Sequence, residues 1–134
     1  MPGHASGILT PARQEHVDRY GAGPFPFSPG VIIAGASERI SLSQQFPLSE
    51  KYAPLDSVDI INNSGEQILI IIDNNRARAR TVPAGTIAQI TNIAIRTFEV
   101  ENEDSTNSTA ANEINCQFSK AALTADELAR RYGR

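Results

Sequence analysis

The chain has no tryptophan, one cysteine, two histidines and an aromatic share of only 6%. Each shortage removes a class of function. A lone thiol, Cys116, can close no internal disulfide, which fits folding in a reducing compartment. His4 and His16 are the only imidazoles, and neither stands near a cysteine or carboxylate cluster at ligand spacing. No metal or other cofactor is expected, and a cupin-like site is disfavoured because it needs His ligands on the strands. The formal charge of -3 and pI of about 5.3 lack the basic surplus of a general nucleic-acid binder. The longest apolar run, Ile68–Ile72, falls well short of the roughly 20 residues that cross a bilayer. Membrane insertion is therefore not expected. Nor is a signal peptide, because no charged stretch followed by an apolar one opens the chain.

Catalytic patterns are missing as well. No HExxH, paired CxxC, GxSxG or GxxxxGKS/T occurs, and Gly21-Ala22-Gly23 runs into Pro24 and Pro26, which is no dinucleotide-binding context. Asp56, Asp59 and Asp73 are scattered in a way that suits turns better than an acid–base pair. The chain reads as non-enzymatic.

What the sequence does have is a series of short apolar segments separated by turn residues. From Ser57 to Val100 these recur at a spacing of roughly ten residues, the pattern of an antiparallel sandwich or barrel. Val58 and Ile60 share one strand face, and Asn62-Asn63-Ser64-Gly65 supplies turn chemistry. Ile68–Ile72 is apolar on both faces, which implies cover from two sides. Val82-Pro83-Ala84-Gly85-Thr86 reads as a tight corner. Further strands are expected at Val31–Ala34, Arg39–Ser43, Ile87–Thr91, Ile93–Glu101 and Glu113–Ser119, the last with Ile114, Cys116 and Phe118 facing inward. Ile40, Leu42, Ile68, Ile70 and Ile72 join that core. Glu101–Asn112 is polar throughout and should project as a loop. Its Asn107-Ser108-Thr109, like Asn62-Asn63-Ser64, matches a glycosylation acceptor but reads better as turn composition.

Arg76, Arg78 and Arg80 alternate with alanine, so a strand would set three guanidiniums on one face about 6.6 Å apart. Forked phosphate contacts are one use of such a row. Pairing with Glu99, Glu101, Glu103 or Asp104 of a neighbouring subunit fits the acidic whole better.

Residues 1–30 hold five of the eight prolines and five of the nine glycines, which reads as an extended arm with a helical turn at most around Ala12–Tyr20. Tyr20, Phe25 and Phe27 carry most of its large apolar surface, and an extended segment cannot shield them alone. Residues 31–120 form the sandwich domain and residues 121–134 a capped helix. There Thr124 and Glu127 make a capping box, Leu123 and Leu128 a hydrophobic staple, and Gly133 the stop.

The succession DIINNSGEQILIIIDN, then TVPAGTIAQI, then IAIRTFEVEN resembles small single jelly-roll proteins of phage particles, such as penton, cement and head-decoration proteins. The resemblance lies in Val58–Asn62, Ile68–Asn74, Val82–Thr86 and Phe98–Asn102. It implies an all-β fold, a jelly roll of about eight strands. It also implies a homo-oligomeric virion subunit assembled in the host cytoplasm, whose partners are its own copies and other shell proteins. Subunit contacts are expected at Tyr20, Phe25, Phe27, Leu69, Ile71, Arg76, Arg78 and Arg80. The alternative is a stand-alone sandwich that binds carbohydrate or a host receptor. Against it, sugar sites favour aromatic platforms, and Tyr20 and Tyr52 fall outside the expected strands.

Overall fold

The computed structural model describes residues 10–133. His4 and the start of the expected arm lie outside them.

The first element is a helix, α1 (Pro11–Tyr20). Thr10 caps it by accepting a hydrogen bond from the Arg13 amide at 3.3 Å, and Pro11 occupies the first turn, where its missing N–H costs nothing. Eight strands follow in chain order: β1 (Ala22–Phe27), β2 (Ser37–Ser41), β3 (Ser57–Asn62), β4 (Ile68–Ile72), β5 (Arg80–Val82), β6 (Ile87–Ile90), β7 (Thr97–Asn102) and β8 (Ile114–Lys120). Between β2 and β3 lie a short helix, α2 (Leu42–Gln45), and a 3₁₀ stretch at Pro47–Tyr52. The chain closes with α3 (Ala125–Tyr132).

The strands make two four-stranded sheets, in the orders β1-β8-β3-β6 and β2-β7-β4-β5, with every pairing antiparallel. Partners β1/β8, β2/β7, β3/β6 and β4/β5 are those of one long hairpin, with the β8/β3 and β7/β4 pairings added. The sheets pack face to face as a sandwich. Val58 and Ile60 of β3, with Ile114, Cys116 and Phe118 of β8, meet Ile68 and Ile70 of β4 and Phe98 and Val100 of β7 in one buried cluster. Phe98 and Phe118 cross edge-on at 4.8 Å and 87°, a favoured aromatic geometry that joins the two sheets. The inward alternation expected of β8 is borne out, since Ile114, Cys116 and Phe118 are each at most 1% exposed.

Several expected boundaries move. Arg39–Ser43 is not one strand, because β2 ends at Ser41 and Leu42 opens α2 while remaining buried. Ile40 and Ile72 are half-buried rather than enclosed. Val31–Ala34 contributes only the Ile32 bridge to Thr109, and Ile93–Arg96 precedes β7 with a single bridge from Ile95 to Leu55. The polar loop after β7 does not project freely. Asn102, fully buried, donates to the Ile32 carbonyl at 3.0 Å and the Asn107 carbonyl at 2.8 Å, and Thr109 is buried beside them. An apolar anchor is unnecessary where a buried amide holds the backbone.

The largest change concerns the first 30 residues. Residues 11–20 are a full helix, and residues 22–27 are a strand at the edge of the first sheet, paired with β8 through Phe25↔Phe118 and Phe27↔Cys116. An edge is where a strand tolerates proline, since the missing donor need not face a neighbour. The sandwich therefore begins at Ala22, not at residue 31.

The C-terminal helix follows its signals. The Thr124 hydroxyl accepts from the Glu127 amide at 3.2 Å, the Glu127 carboxylate accepts from the Thr124 amide at 2.9 Å, and Gly133 ends the helix at φ 72°.

Candidate functional site

The expected contact residues fall into two environments, and a third site of interest holds none of them. The first is the outer face of the second sheet. Register places Glu99 of β7 between Arg39 of β2 and Ile71 of β4, and Glu101 between Ser37 and Leu69. After β4 the chain turns through Asp73 and Asn74, both at positive φ, into a 3₁₀ turn at Arg76–Arg78 that folds back against β4. This brings the Arg76 guanidinium within 2.7 Å of Glu101 and 3.5 Å of Glu99. The hydrogen bond that Arg76 donates to the Glu101 carboxylate holds the guanidinium protonated beyond its ordinary range.

The arginines thus form no single stripe. Arg76 and Arg78 sit on the 3₁₀ turn and only Arg80 is in a strand, where it donates to the Gln89 carbonyl at 3.3 Å. The carboxylate partners foreseen on a neighbour are supplied to Arg76 by its own chain. Asn74-Asn75 tightens the turn where an alternating pattern would otherwise have extended. Ile71 is 1% exposed without belonging to the inter-sheet cluster, so its cover also comes from this chain. Leu69 is half-buried.

The second environment is the first edge of the sandwich. Phe27 is 7% exposed and belongs to the core, while Phe25 packs against Phe46 at 5.7 Å and Tyr52 at 6.4 Å. Neither ring is held out toward a partner. Tyr20 is 72% exposed and leans on His16 at 4.8 Å.

The third is the junction of α1 and α3, which no sequence pattern announces. Asp18 is 5% exposed and accepts from Gln14 at 2.9 Å, from Arg131 at 2.9 Å and from the Tyr132 hydroxyl. Burial pushes its carboxyl upward, but the bonds from Tyr132, Gln14 and Arg131 outweigh it and hold the pKa below the ordinary value. The same contact raises the Tyr132 phenol. The Leu123 amide donates to the Asp18 carbonyl at 2.7 Å, and Arg19 lies over the Tyr132 ring at 5.5 Å. The two terminal helices are docked to each other through one buried carboxylate.

Cys116 lies inside the sandwich, where burial pushes its thiol up to about 12, far from a thiolate nucleophile at neutral pH. Among the described residues no group of three or more His, Cys, Asp or Glu could hold a metal ion, and no helix is long and apolar enough to cross a membrane. Besides Tyr20, the large apolar side chains left exposed among the described residues are Val31 and Ile33, each at 63%, Leu48 at 79%, Ile87 at 71% and Ile93 at 38%. Val31 and Ile33 flank Ile32, whose backbone pairs with Thr109, so the alternation that buries Ile32 turns both neighbours outward. No protein-family model matches the chain, and no curated protein matches it either.

Proposed function

We propose that the chain is a non-enzymatic structural subunit of a viral particle, a single jelly roll of the penton, cement or decoration kind, working as a homo-oligomer among other shell proteins. The observation that carries this reading is the strand order. A hairpin of four strands against four, rolled up once, gives the sheets β1-β8-β3-β6 and β2-β7-β4-β5. Jelly rolls built this way serve as capsid, lectin and cupin domains. Cupin chemistry is disfavoured by strands without histidine, and a lectin role by the want of tryptophan for a sugar platform. The remaining use, packing many copies side by side, is supported by outward apolar side chains at Val31, Ile33, Leu48 and Ile87. Those residues and Tyr20 are the contacts this reading assigns to neighbours. Arg76 and Phe27, committed within the chain, are not among them.

Native mass spectrometry and sedimentation of the full chain across micromolar concentrations test the proposal, together with a reconstruction of any particle that carries it. A closed oligomer, or density for the chain on a shell, is the expected result. A monomer at every concentration, with no particle-bound copy, would refute it. Monomeric behaviour combined with saturable binding on a glycan array would favour the carbohydrate-binding alternative.

A further inference from the structure

A cavity of about 220 Å³ lies beside β5 and β6, each the last strand of its sheet. Its lining is of two kinds. Ile70 and Ile72 of β4, Ile90 of β6 and Ile93 just beyond form apolar walls, and Asn75, Arg78 and Arg80 make up the polar side. Among the described residues no carboxylate lines it.

The two arginines are available in a way that Arg76 is not. Arg76 is spent on Glu101 and Glu99. Arg80 makes one bond, to the Gln89 carbonyl, which leaves most of its donors unused. The side chain of Arg78 has no hydrogen-bond or ion-pair partner among the described residues. Isoleucine walls give water too few partners to hold it well. A guanidinium's planar fork matches the two oxygens of a carboxylate. Apolar walls and unneutralised forks together select a molecule with an apolar stem and one anionic end. Size sets the stem. A 150 Å³ apolar cavity accepts benzene, so this one takes an aliphatic chain of about six to eight carbons.

We propose that this cavity binds an aliphatic monocarboxylate, with its chain against Ile70, Ile72, Ile90 and Ile93 and its carboxylate held by Arg78 and Arg80. The site is independent of the assembly role, because it is complete within one chain.

Octanoate is the probe, titrated into the full chain with methyl-labelled isoleucines and followed by NMR. Saturable shifts are expected at the four wall isoleucines, with Ile114 and Ile60, deep in the inter-sheet core, serving as unmoved references. Replacing octanoate by 1-octanol, which keeps the stem and loses the charge, should weaken binding about tenfold or more, as for a lost hydrogen bond to a charged group. Arg78→Gln combined with Arg80→Gln should weaken octanoate by as much, while Arg76→Gln should leave it unchanged. Should the double variant disturb the reference methyls, Arg78→Gln alone, at an exposed and unpartnered side chain, gives the reading. Equal affinity for octanoate and octanol would overturn the proposal. So would an equal loss with Arg76→Gln, shifts confined to outward side chains such as Ile33 and Ile87, or no saturable shift at all.

Discussion

Replacing Asn62 by alanine should cost more stability than any surface change in this chain, and the hydrogen bonds say roughly how much. Asn62 ends β3 and is fully buried. Its amide donates to the carbonyls of Glu66 at 2.9 Å, Val82 at 3.1 Å and Pro83 at 3.2 Å. Its oxygen accepts from the Ser64 amide at 3.0 Å and the Ser64 hydroxyl at 2.6 Å. One side chain therefore ties the β3–β4 connection, which crosses between the sheets, to the end of β5 and the corner after it. Two amide protons shared among three carbonyls, plus two accepted bonds, count as about four hydrogen bonds, each contributing ~0.5–1.5 kcal/mol net. The Glu66 and Pro83 bonds are only part-buried, so water replaces some of the loss, and the lower half of that range applies. The expected cost is about 3 kcal/mol, or a fall in Tm on the order of 10 °C for a domain of this size. Urea unfolding followed by circular dichroism reads it directly. Asn62→Asp should cost at least as much, since it keeps the acceptors for Ser64, loses the donors and buries a carboxylate. A loss under about 1 kcal/mol for Asn62→Ala, with an unchanged denaturant slope, would refute the hydrogen-bond reasoning.

The α1–α3 junction gives a pH prediction. The folded Asp18 carboxyl titrates below its ordinary value of 3.8, so its contribution is complete above that value and fades as pH falls through the lower folded one. Protection factors for α3 amides, taken relative to the intrinsic rate at each pH, should therefore fall in acid, and Asp18→Asn should show the loosened state at neutral pH already. Gly21→Ala should cost about 1–3 kcal/mol in a melting experiment, because φ 75° with ψ -168° is a glycine conformation and a Cβ would strike the Lys120 carbonyl. Gly35→Ala, at φ 76° with nothing within 4 Å, should cost less. Cys116, with its thiol pushed to about 12, should react with thiol reagents only at the rate at which the sandwich opens.

Much of this fold is legible in the sequence because one physical rule governs its legible parts. β8 alternates cleanly, so Ile114, Cys116 and Phe118 can be assigned inward from residue types alone. The capping box of α3 is likewise local, since Thr124 and Glu127 stand three residues apart and need no other part of the chain. Signals fail where a residue's role is fixed by something distant. Asn102 looks like loop composition, and only the approach of Ile32 makes it a buried staple. The alternation of Arg76, Arg78 and Arg80 suits a strand, yet the positive-φ turn at Asp73 and Asn74 redirects the chain first, and Arg76 finds Glu101 across 25 positions. Asp18 carries no mark at all, because its partners Arg131 and Tyr132 lie at the other end of the sequence.

The first strand shows why composition misleads there, and it yields the most decisive test of how the chain meets its neighbours. Pro24, Pro26 and the surrounding glycines argue against an inner strand, correctly, since β1 stands at the edge of its sheet with β8 on one side only. Composition does not exclude an edge strand, and Phe27 buried at 7% makes this one part of the core. Phe27→Ala should therefore destabilise the isolated chain by about 3–4 kcal/mol, the cost of truncating a buried phenylalanine. Tyr20→Ala, at a side chain 72% exposed, should stay within about 0.5 kcal/mol in the same melt. If Tyr20 meets a neighbour, its loss should instead appear in the mass of the assembled species. The two variants thus separate folding from association. The opposite pattern, with Phe27→Ala melting like the parent but failing to assemble, would mean that β1 leaves β8 in solution and serves as a docking arm after all.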